Sequence, residues 1–325
     1  MPQQPLARVP LSDYLHDWLL GRSAELRPTT LDTYRRMIRL HIVPSLGGLA
    51  LQDLTPQRLQ TWVGELAQTP ARGGGSLSPR TVTYAMAVLR TALNDALRLG
   101  LLEQNPFTRV RGPRGGRHLA ASYTLEEVRR LDAAAADVRL GALFSFLWQT
   151  GLRIGEAIAL RWQDVDLEHS SLQVLRNAVE VGGRMVLGQP KTAAGLRQIA
   201  LMPQTVALLR SQRARLCAER LGSVPLVFPS RAGTLLSRRN AARAWTALCE
   251  AAGLPHHGLH ALRHTNASLQ LQAGVGIREI AAHLGHESPA LTARVYAHVL
   301  EDTRREAARR LGSLLEGTAR PGRPA

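Results

Sequence analysis

The sequence predicts a mainly α-helical protein of two domains, the second of which also contains a small antiparallel sheet. Three observations predict this fold class. Apolar residues recur at helical spacing along most of the chain, and residue pairs typical of helix starts precede many of these segments. Strand-like alternation is confined to residues 165–201. The 325 residues are 45% hydrophobic but only 4% aromatic, so Leu, Val and Ala must fill the cores.

The first domain, residues 1–107, is predicted to consist of four helices. Their starts are marked by capping residues, two of which are followed by a proline that suits the first helical position. These signals are Ser12, Thr29-Thr30, Thr55-Pro56 and Ser78-Pro79. The fourth helix is the longest and is expected to stop at Gly100, because glycine readily adopts the left-handed conformation that ends helices.

Residues 108–120 are rich in Gly, Pro and Arg and predict a basic linker. The second domain, residues 121–300, opens with a capping box formed by Thr124 and Glu127. Its helices are predicted at about residues 140–149, 154–160, 203–220, 237–252, 260–273, 277–283 and 289–300. A single antiparallel sheet is predicted from the alternating runs 171–175, 179–181, 184–187 and 197–201. Residues 301–325 are expected to form a C-terminal helix and tail, which we expect to dock on a neighbouring protomer.

The charge of the chain points to an acidic polymer as its partner. The formal net charge is +16 and the pI is about 11.3, with most of the excess beyond residue 110. No apolar stretch approaches the roughly 18 to 20 residues needed to cross a bilayer. The two cysteines, Cys217 and Cys249, fit neither a disulfide framework nor a metal-site spacing. We therefore expect a cytoplasmic protein without a membrane partner.

The stretch 258–298 contains the residues best suited to chemistry on a phosphate ester. Seven of the eleven histidines lie in or beside it: His256, His257, His260, His264, His283, His286 and His298. Histidine changes charge near physiological pH, and the arginines among these histidines have the fork geometry that binds phosphate. Tyr296 supplies a hydroxyl nucleophile. The cluster therefore predicts a phosphate-ester site.

Lys191 is the only lysine among 41 basic residues. A bias toward arginine this strong would be expected to have replaced it unless lysine were needed there. Lysine can release a proton at working pH, whereas arginine cannot. The turn around Lys191, between two predicted strands, is therefore a candidate position for a proton donor.

Together, these motifs resemble those of the tyrosine recombinase (phage integrase) family, in order and over nearly the whole chain. The matching segments are Thr150-Gly151-Leu152-Arg153-Ile154-Gly155-Glu156, Pro190-Lys191-Thr192, His260-Ala261-Leu262-Arg263-His264-Thr265, Leu284-Gly285-His286 and Thr292 to His298. One position departs from the pattern: Ala261 stands where an acidic or polar residue is more usual. The ten-residue step from His286 to Tyr296 is common in phage and mobile-element members. We find no separate arm-binding domain before the first helix.

The resemblance implies a set of catalytic roles. Arg153 and Arg263 would bind the non-bridging oxygens of the scissile phosphate, with His286 as a further donor. His260 would assist proton transfer, Lys191 would protonate the departing 5′ oxygen, and Tyr296 would be the nucleophile. Glu156 would position Arg153. No cofactor or metal is implied. The expected product of the attack is a 3′-phosphotyrosine intermediate, followed by strand exchange through a Holliday junction.

The resemblance also implies the partners. They are double-stranded DNA, held in a C-clamp between the two domains, and a homotetramer on paired DNA sites. A DNA-bending accessory protein is compatible with this class. Other interpretations of the residues stay open. A type IB topoisomerase-like nicking enzyme would use the same groups, and a DNA-binding protein without activity would keep only the charge. A zinc site on His260 and His264 lacks the glutamate of the HExxH motif.

Overall fold

The protein is described here by a computed structural model covering residues 8–71, 74–113, 115, 121–190 and 192–296. Contacts divide the chain into two compact units, Met1–His118 and Leu119–Ala325. Each unit has its own apolar core. The fold class predicted from the sequence is confirmed: the chain is mainly helical, with small antiparallel sheets in the second unit. None of the helices in the described ranges has both the length and the apolar character to cross a membrane.

In its described residues the first unit contains five helices, joined by shorter turns. The helices are α1 (Leu11–Gly21), α2 (Pro28–Met37), α3 (Val43–Leu46), α4 (Pro56–Gln68) and α5 (Pro79–Arg98). A π-helical turn, Ile38–Ile42, connects α2 to α3, and Leu51–Asp53 form a 3₁₀ turn. The Thr55 and Ser78 side chains accept hydrogen bonds from the Arg58 and Thr81 N–H groups, both at 3.2 Å. These two predicted caps are therefore confirmed.

Two predicted helix starts in this unit are wrong. Ser12 lies inside the first turn of α1, and the Leu11 and Ser12 N–H groups instead donate to the Leu49 and Gly47 carbonyls. Backbone carbonyls of a neighbouring loop thus satisfy donors that a capping side chain would otherwise bind. The second helix begins at Pro28, ahead of Thr29 and Thr30. The fixed φ of proline already suits the first helical position.

The end of the first predicted domain and the beginning of the predicted linker pack against helix α4. Pro106–Arg109 form a 3₁₀ turn in which the Asn105 side chain accepts a hydrogen bond from the Phe107 N–H at 2.8 Å. Phe107 is fully buried and meets the Trp62 ring edge-on, with ring centroids 6.3 Å apart. The Gln60 side chain pairs with the backbone of Arg111. Aromatic packing therefore fixes this stretch to helix α4.

The second unit contains eight helices in its described residues. They are α6 (Leu125–Ala135), α7 (Gly141–Thr150), α8 (Ile154–Ala159), α9 (Pro203–Ala218), α10 (Arg238–Ala251), α11 (His260–Gln272), α12 (Ile277–Leu284) and α13 (Pro289–Val295). The predicted capping box of Thr124 and Glu127 is confirmed at the start of α6. Helix α7 is apolar on most sides and packs against α6, α9 and α11. It forms the centre of this unit, and its C-terminal end leads directly into the candidate site.

The strands form two sheets, whereas one was predicted. Strands β1 (Val165–Asp166), β2 (Ser171–Val174) and β5 (Arg197–Ala200) make one antiparallel sheet, and β3 (Asn177–Val181) and β4 (Arg184–Gly188) make a separate hairpin. Strand β1 was not predicted. The hairpin separates because β3 packs against α8, where Gly155 leaves space for the Asn177 side chain and the Ala178 carbonyl. The alternation in the sequence indicates the strands but not their partners.

A buried carboxylate links α1 to α5 in the first unit. Asp95 is 8% exposed and accepts hydrogen bonds from the Trp18 indole at 2.7 Å and from Arg22 at 2.8 Å, with Arg98 as a third donor. Burial alone opposes its ionisation. The hydrogen bonds from Trp18, Arg98 and Arg22 outweigh that effect and hold the pKa of the Asp95 carboxyl below its ordinary value.

We predict that Asp95→Asn destabilises the protein by about 2 kcal/mol at pH 7, because it removes the charge from a buried hydrogen-bond acceptor. A carboxyl whose folded pKa is depressed contributes its stability above the unfolded pKa, and that contribution is lost as pH falls. The difference between variant and wild type should therefore persist from pH 7 to 5 and shrink below about pH 4. Urea unfolding of the full chain measures it. The exposed change Asp17→Asn should stay within about 0.5 kcal/mol of wild type, and equal losses for both variants would contradict the prediction.

Candidate active site

Arg153 is positioned by the end of helix α7 and the start of α8. Gly151 ends α7 in the left-handed conformation with φ of 65°, and any side chain there would meet the Asn266 amide oxygen at 2.6 Å. Arg153 then precedes α8. Its backbone N–H and one guanidinium nitrogen each donate to Glu156 at 2.9 Å. The Arg153 side chain is 40% exposed, so part of the guanidinium is open to a ligand.

Glu156 is buried between two arginines. Its carboxylate is 3% exposed and makes a second ion pair with Arg197 at 2.9 Å. Burial opposes ionisation of Glu156, but the hydrogen bond and charge of Arg197, followed by those of Arg153, hold the pKa of this carboxyl below its ordinary value. Glu156 therefore stays ionised and holds Arg153 by two hydrogen bonds.

Arg197 was missed in the sequence. Its side chain also donates to the carbonyls of His283 at 2.7 Å and Gly195 at 3.1 Å. It thereby ties β5 to the end of α12 and to the turn that precedes β5. A signal was available in the sequence. Arg197 lies two residues before the apolar Ile199, so the two side chains share the inward face of the strand. An arginine at such a position usually has a buried partner.

Arg263 lies on α11 and is 2% exposed. Its two terminal nitrogens donate to the Gly151 carbonyl at 2.8 Å and to the Leu284 carbonyl at 2.6 Å. Burial, together with the nearby charge of Arg153, lowers the pKa of Arg263 to about 9, so the guanidinium stays protonated at neutral pH. This side chain joins the first arginine motif to the second histidine motif.

His286 follows directly after the end of α12. Gly285 has φ of 67°, and a side chain there would meet the Ala194 carbonyl at 2.6 Å. The His286 Nδ1 shares a hydrogen bond of 2.6 Å with the Thr292 hydroxyl on α13, which leaves Nε2 for a ligand. Burial, then the charges of Arg263 and Arg153, lower the pKa of His286 to about 4.

Tyr296 ends helix α13 and is 1% exposed. Its ring packs in a small apolar cluster with Ala267, Leu271, Ile280 and Leu284. Burial raises the pKa of the Tyr296 phenol to about 12, although the charge of Arg263 acts in the opposite direction. The hydroxyl lies 2.7 Å from Nδ1 of His264. The phenol is therefore neutral and held inside the protein at neutral pH.

His260 stands at the first position of α11, one turn before His264. Its ring meets the His264 ring edge-to-face, with centroids 4.7 Å apart. Burial lowers the pKa of His260 to about 4, and the charges of His264, Arg263 and Arg153 act in the same direction. Although the ring is reached by solvent, it is therefore neutral in the free protein.

The structure brings six of the seven predicted site residues together: Arg153, Glu156, His260, Arg263, His286 and Tyr296. Lys191 and His298 lie outside the described residues. The described residues Ala194 and Gly195 border the site, because the Ala194 carbonyl lies close to Gly285 and the Gly195 carbonyl accepts a hydrogen bond from Arg197. Among the other histidines, the His283 Nε2 donates to the Thr150 carbonyl at 2.9 Å, and His257 packs against the Tyr123 ring. Within the described ranges, no three His, Cys, Asp or Glu residues are grouped as metal ligands.

The arrangement suits chemistry on a phosphodiester. Arg153, Arg263, His260 and His286 share one position in the fold, where their charges act on one another. A single carboxylate, Glu156, pairs with Arg153 and Arg197. Guanidinium forks stabilise negative charge on phosphate oxygens, and a phenol can attack phosphorus once its proton is removed. The elements α7, α8, α11, α12 and α13 all contribute to this position, so it depends on the fold of the whole second unit.

Both units of the chain match models of known protein families. The profile of the Phage integrase family matches residues 122–303, and that of the phage integrase N-terminal SAM-like domain matches residues 11–67. A tyrosine recombinase XerC-like protein of Caldanaerobacter subterraneus is 28% identical over 332 residues, covering 94% of this chain and 83% of the relative. The integrase of Mycobacterium phage D29 is 29% identical over 312 residues, covering 94% and 79%.

Solved structures share the fold at lower identity. The Tn1549 transposon integrase in complex with a circular intermediate DNA superimposes with a TM-score of 0.77 at 19% identity, covering 93% of this chain and 99% of that chain. A lambda integrase tetramer bound to a Holliday junction gives a TM-score of 0.68 at 19% identity, covering 86% and 78%. With a family profile that spans more than half of its residues, the chain belongs to the phage integrase family.

Proposed function

We propose that this protein is a site-specific DNA recombinase that cleaves and rejoins DNA through Tyr296. One observation carries the proposal. Arg263 binds the carbonyls of Gly151 and Leu284, and so joins the Arg153 motif to the His286 motif. The relatives named as integrases and as a tyrosine recombinase, and the family itself, support the same activity.

In the proposed reaction, Arg153 and Arg263 bind the two non-bridging oxygens of the scissile phosphate. The negative charge that develops in the transition state is then stabilised by groups already fixed in place. Nε2 of His286 adds a donor, since its Nδ1 is taken by Thr292. His260 assists proton transfer.

Attack by the Tyr296 oxygen forms an O–P bond, and the bond from phosphorus to the 5′ oxygen breaks. Lys191 gives a proton to that departing oxygen. The resulting 3′-phosphotyrosine retains the energy of the ester, so a 5′ hydroxyl of another strand can reverse the step without ATP. Strand exchange through a Holliday junction follows from two such rounds. The proposed steps use no cofactor.

For the domains, we propose that residues 1–107 bind the DNA core site and residues 121–300 carry the catalysis, with residues 108–120 as the linker. The proposed substrate is double-stranded DNA, clamped by both domains. The net charge of +16 supports this, as do the integrase–DNA complexes that share the fold. A protein that acts on such DNA is expected to work in the cytoplasm.

We further propose that four protomers act on paired DNA sites, with residues 301–325 exchanged between neighbours. The lambda integrase tetramer on a Holliday junction supports this arrangement by its similar fold. A DNA-bending accessory protein is a compatible further partner. Strand exchange between two duplexes, as opposed to nicking and resealing of one, would separate a recombinase from a topoisomerase-like enzyme.

We predict that the wild type forms a covalent adduct with nicked suicide DNA and that Tyr296→Phe forms none, because only the phenol oxygen can bond to phosphorus. A pool of nicked duplexes with randomised flanks supplies the substrate, and denaturing gels followed by sequencing identify the trapped DNA. Mass spectrometry of the adduct should place the phosphate on Tyr296. Tyr84→Phe, which alters a 39% exposed phenol, should react like the wild type. An adduct that survives in Tyr296→Phe would refute the proposed nucleophile.

Duplex binding should weaken steeply with salt, because arginine–phosphate contacts release counterions. With about six to ten phosphate contacts, we expect the Kd to rise by about 10³-fold or more between 50 and 200 mM NaCl. Fluorescence anisotropy with a labelled duplex measures this, and a neutral phosphonate duplex serves as the control. If the logarithm of the association constant falls against the logarithm of the NaCl concentration with a slope shallower than about −2, the proposed clamp is contradicted.

We predict that Arg197→Met lowers stability by about 3 kcal/mol, since it leaves the buried Glu156 carboxylate short of a partner. It should also slow adduct formation, because Glu156 and the end of α12 would no longer hold Arg153 and His286 in place. The double variant Arg197→Met/Glu156→Gln should recover part of the lost stability, because the unpaired charge is gone. Urea unfolding and the suicide-substrate assay provide the two readouts. Additive losses in the double variant would show that the ion pair is not the cause.

A further inference from the structure

The Tyr296 hydroxyl has one hydrogen-bond partner among the described residues, Nδ1 of His264 at 2.7 Å. The two rings meet at a steep angle of 62°, with centroids 5.7 Å apart. Since Tyr296 is 1% exposed, water has little access to this oxygen. The atom that the proposed function makes the nucleophile is thus in direct contact with a base.

His264 is held firmly in this position. The preceding residue, Arg263, is anchored to the carbonyls of Gly151 and Leu284. The following residue, Thr265, is fully buried, donates to the Ala261 carbonyl and accepts a hydrogen bond from the Tyr123 N–H at 2.9 Å. Both neighbours of His264 are therefore fixed by contacts with other elements, which fixes the helix backbone that carries its ring.

We infer that His264 accepts the proton of the Tyr296 hydroxyl when that hydroxyl attacks the scissile phosphate, an inference that rests on the proposed function. The O–H bond of Tyr296 breaks as its oxygen bonds to phosphorus, and the proton passes to Nδ1 of His264. The 5′ oxygen leaves with the electron pair of its bond to phosphorus and takes a proton from Lys191. On rejoining, the attacking 5′ hydroxyl gives its proton back to Lys191, and His264 returns its proton to the departing tyrosine oxygen, so the protons balance over one cycle.

The protonation state of His264 fits this role. A histidine can accept the hydrogen bond at Nδ1 only when that nitrogen carries no proton, so Nε2 carries it in the neutral ring. Burial, then the charge of Arg263, lowers the pKa of His264, which keeps the ring neutral at physiological pH. A bound phosphate brings negative charge beside this cationic cluster and favours the imidazolium. Proton transfer would then become favourable only with DNA in place.

The elements around His264 carry ten charged or titratable residues. Helix α7 has none in its sequence. Helix α11 carries His260 and Arg263, and Arg153 precedes α8. The remaining seven lie on or next to α12 and α13: Arg278, Glu279, His283, His286, Glu287, Arg294 and Tyr296. The Tyr296 hydroxyl forms a hydrogen bond with Nδ1 of His264. The His260 ring meets the His264 ring edge-to-face, with centroids 4.7 Å apart.

The test is the single-turnover rate at which wild type and His264→Asn form the covalent adduct. The substrate is a nicked suicide duplex with the sequence that the wild type trapped from the randomised pool. The asparagine oxygen can still accept a hydrogen bond but cannot take the proton. We expect the rate to fall by about 10²-fold, a typical contribution of general-base catalysis. His169→Asn, at an exposed histidine of the β1–β2 turn, is the matched control and should react like the wild type. Thermal unfolding checks that both variants are folded.

A second measurement separates proton transfer from positioning. Incorporation of 3,5-difluorotyrosine at position 296 lowers the phenol pKa, so that an ionised nucleophile no longer needs a base. It should restore the rate of His264→Asn, and raising the pH from 7 to 9 should do so in part. A His264→Asn variant that reacts at the wild-type rate would overturn the inference while leaving the proposed function intact. So would a slow variant that difluorotyrosine does not rescue. No adduct from the wild type on any duplex of the pool would overturn both.

Discussion

The contact on which the site depends is the burial of the Arg263 guanidinium against two helix ends. Its carbonyl partners, Gly151 and Leu284, lie at the C-terminal ends of α7 and α12, where backbone carbonyls have no partner within the helix. Helix dipoles place partial negative charge at these ends, which favours a cation there. The cost of burying the guanidinium is thus offset by groups that would themselves be unsatisfied without it. Because each helix end is followed by a site residue, the same contact sets the distance between Arg153 and His286.

The sequence predicted those features of the structure that depend on residues close together in the chain. The caps at Thr55, Ser78 and Thr124, the helix spans and the motif residues can all be read from neighbours in the chain. Predictions failed where a distant segment replaced a local signal. Carbonyls of a loop nearly forty residues away took the place of the Ser12 cap, and packing on α8 separated the β3–β4 hairpin from the other strands.

The role of Arg197 and the inferred role of His264 also depend on segments that are distant in the chain. Neither residue has its partner nearby in sequence, because Glu156 and Tyr296 lie 41 and 32 positions away. Seven histidines crowd the segment, and composition alone gives no reason to choose His264 among them. The choice requires the distance from an imidazole nitrogen to the phenol oxygen. Site residues that act through side-chain pairs are therefore harder to predict than those that begin or end a helix.

The electrostatics of the site bear on the proposed reaction. Three arginines, Arg153, Arg197 and Arg263, lie around a single carboxylate, so the site holds uncompensated positive charge. Burial first, and then nearby positive charge that includes Arg263 and Arg153, lowers the pKa of both His260 and His286 to about 4. A phosphodiester supplies the missing negative charge. Its arrival lessens the repulsion between the guanidinium groups and makes protonation of the nearby imidazoles easier. Burial and the cations that we propose to bind the phosphate thus both keep the imidazoles neutral before it binds, and the phosphate charge would make proton uptake easier afterwards. In the proposed mechanism, substrate binding therefore also favours activation of the nucleophile.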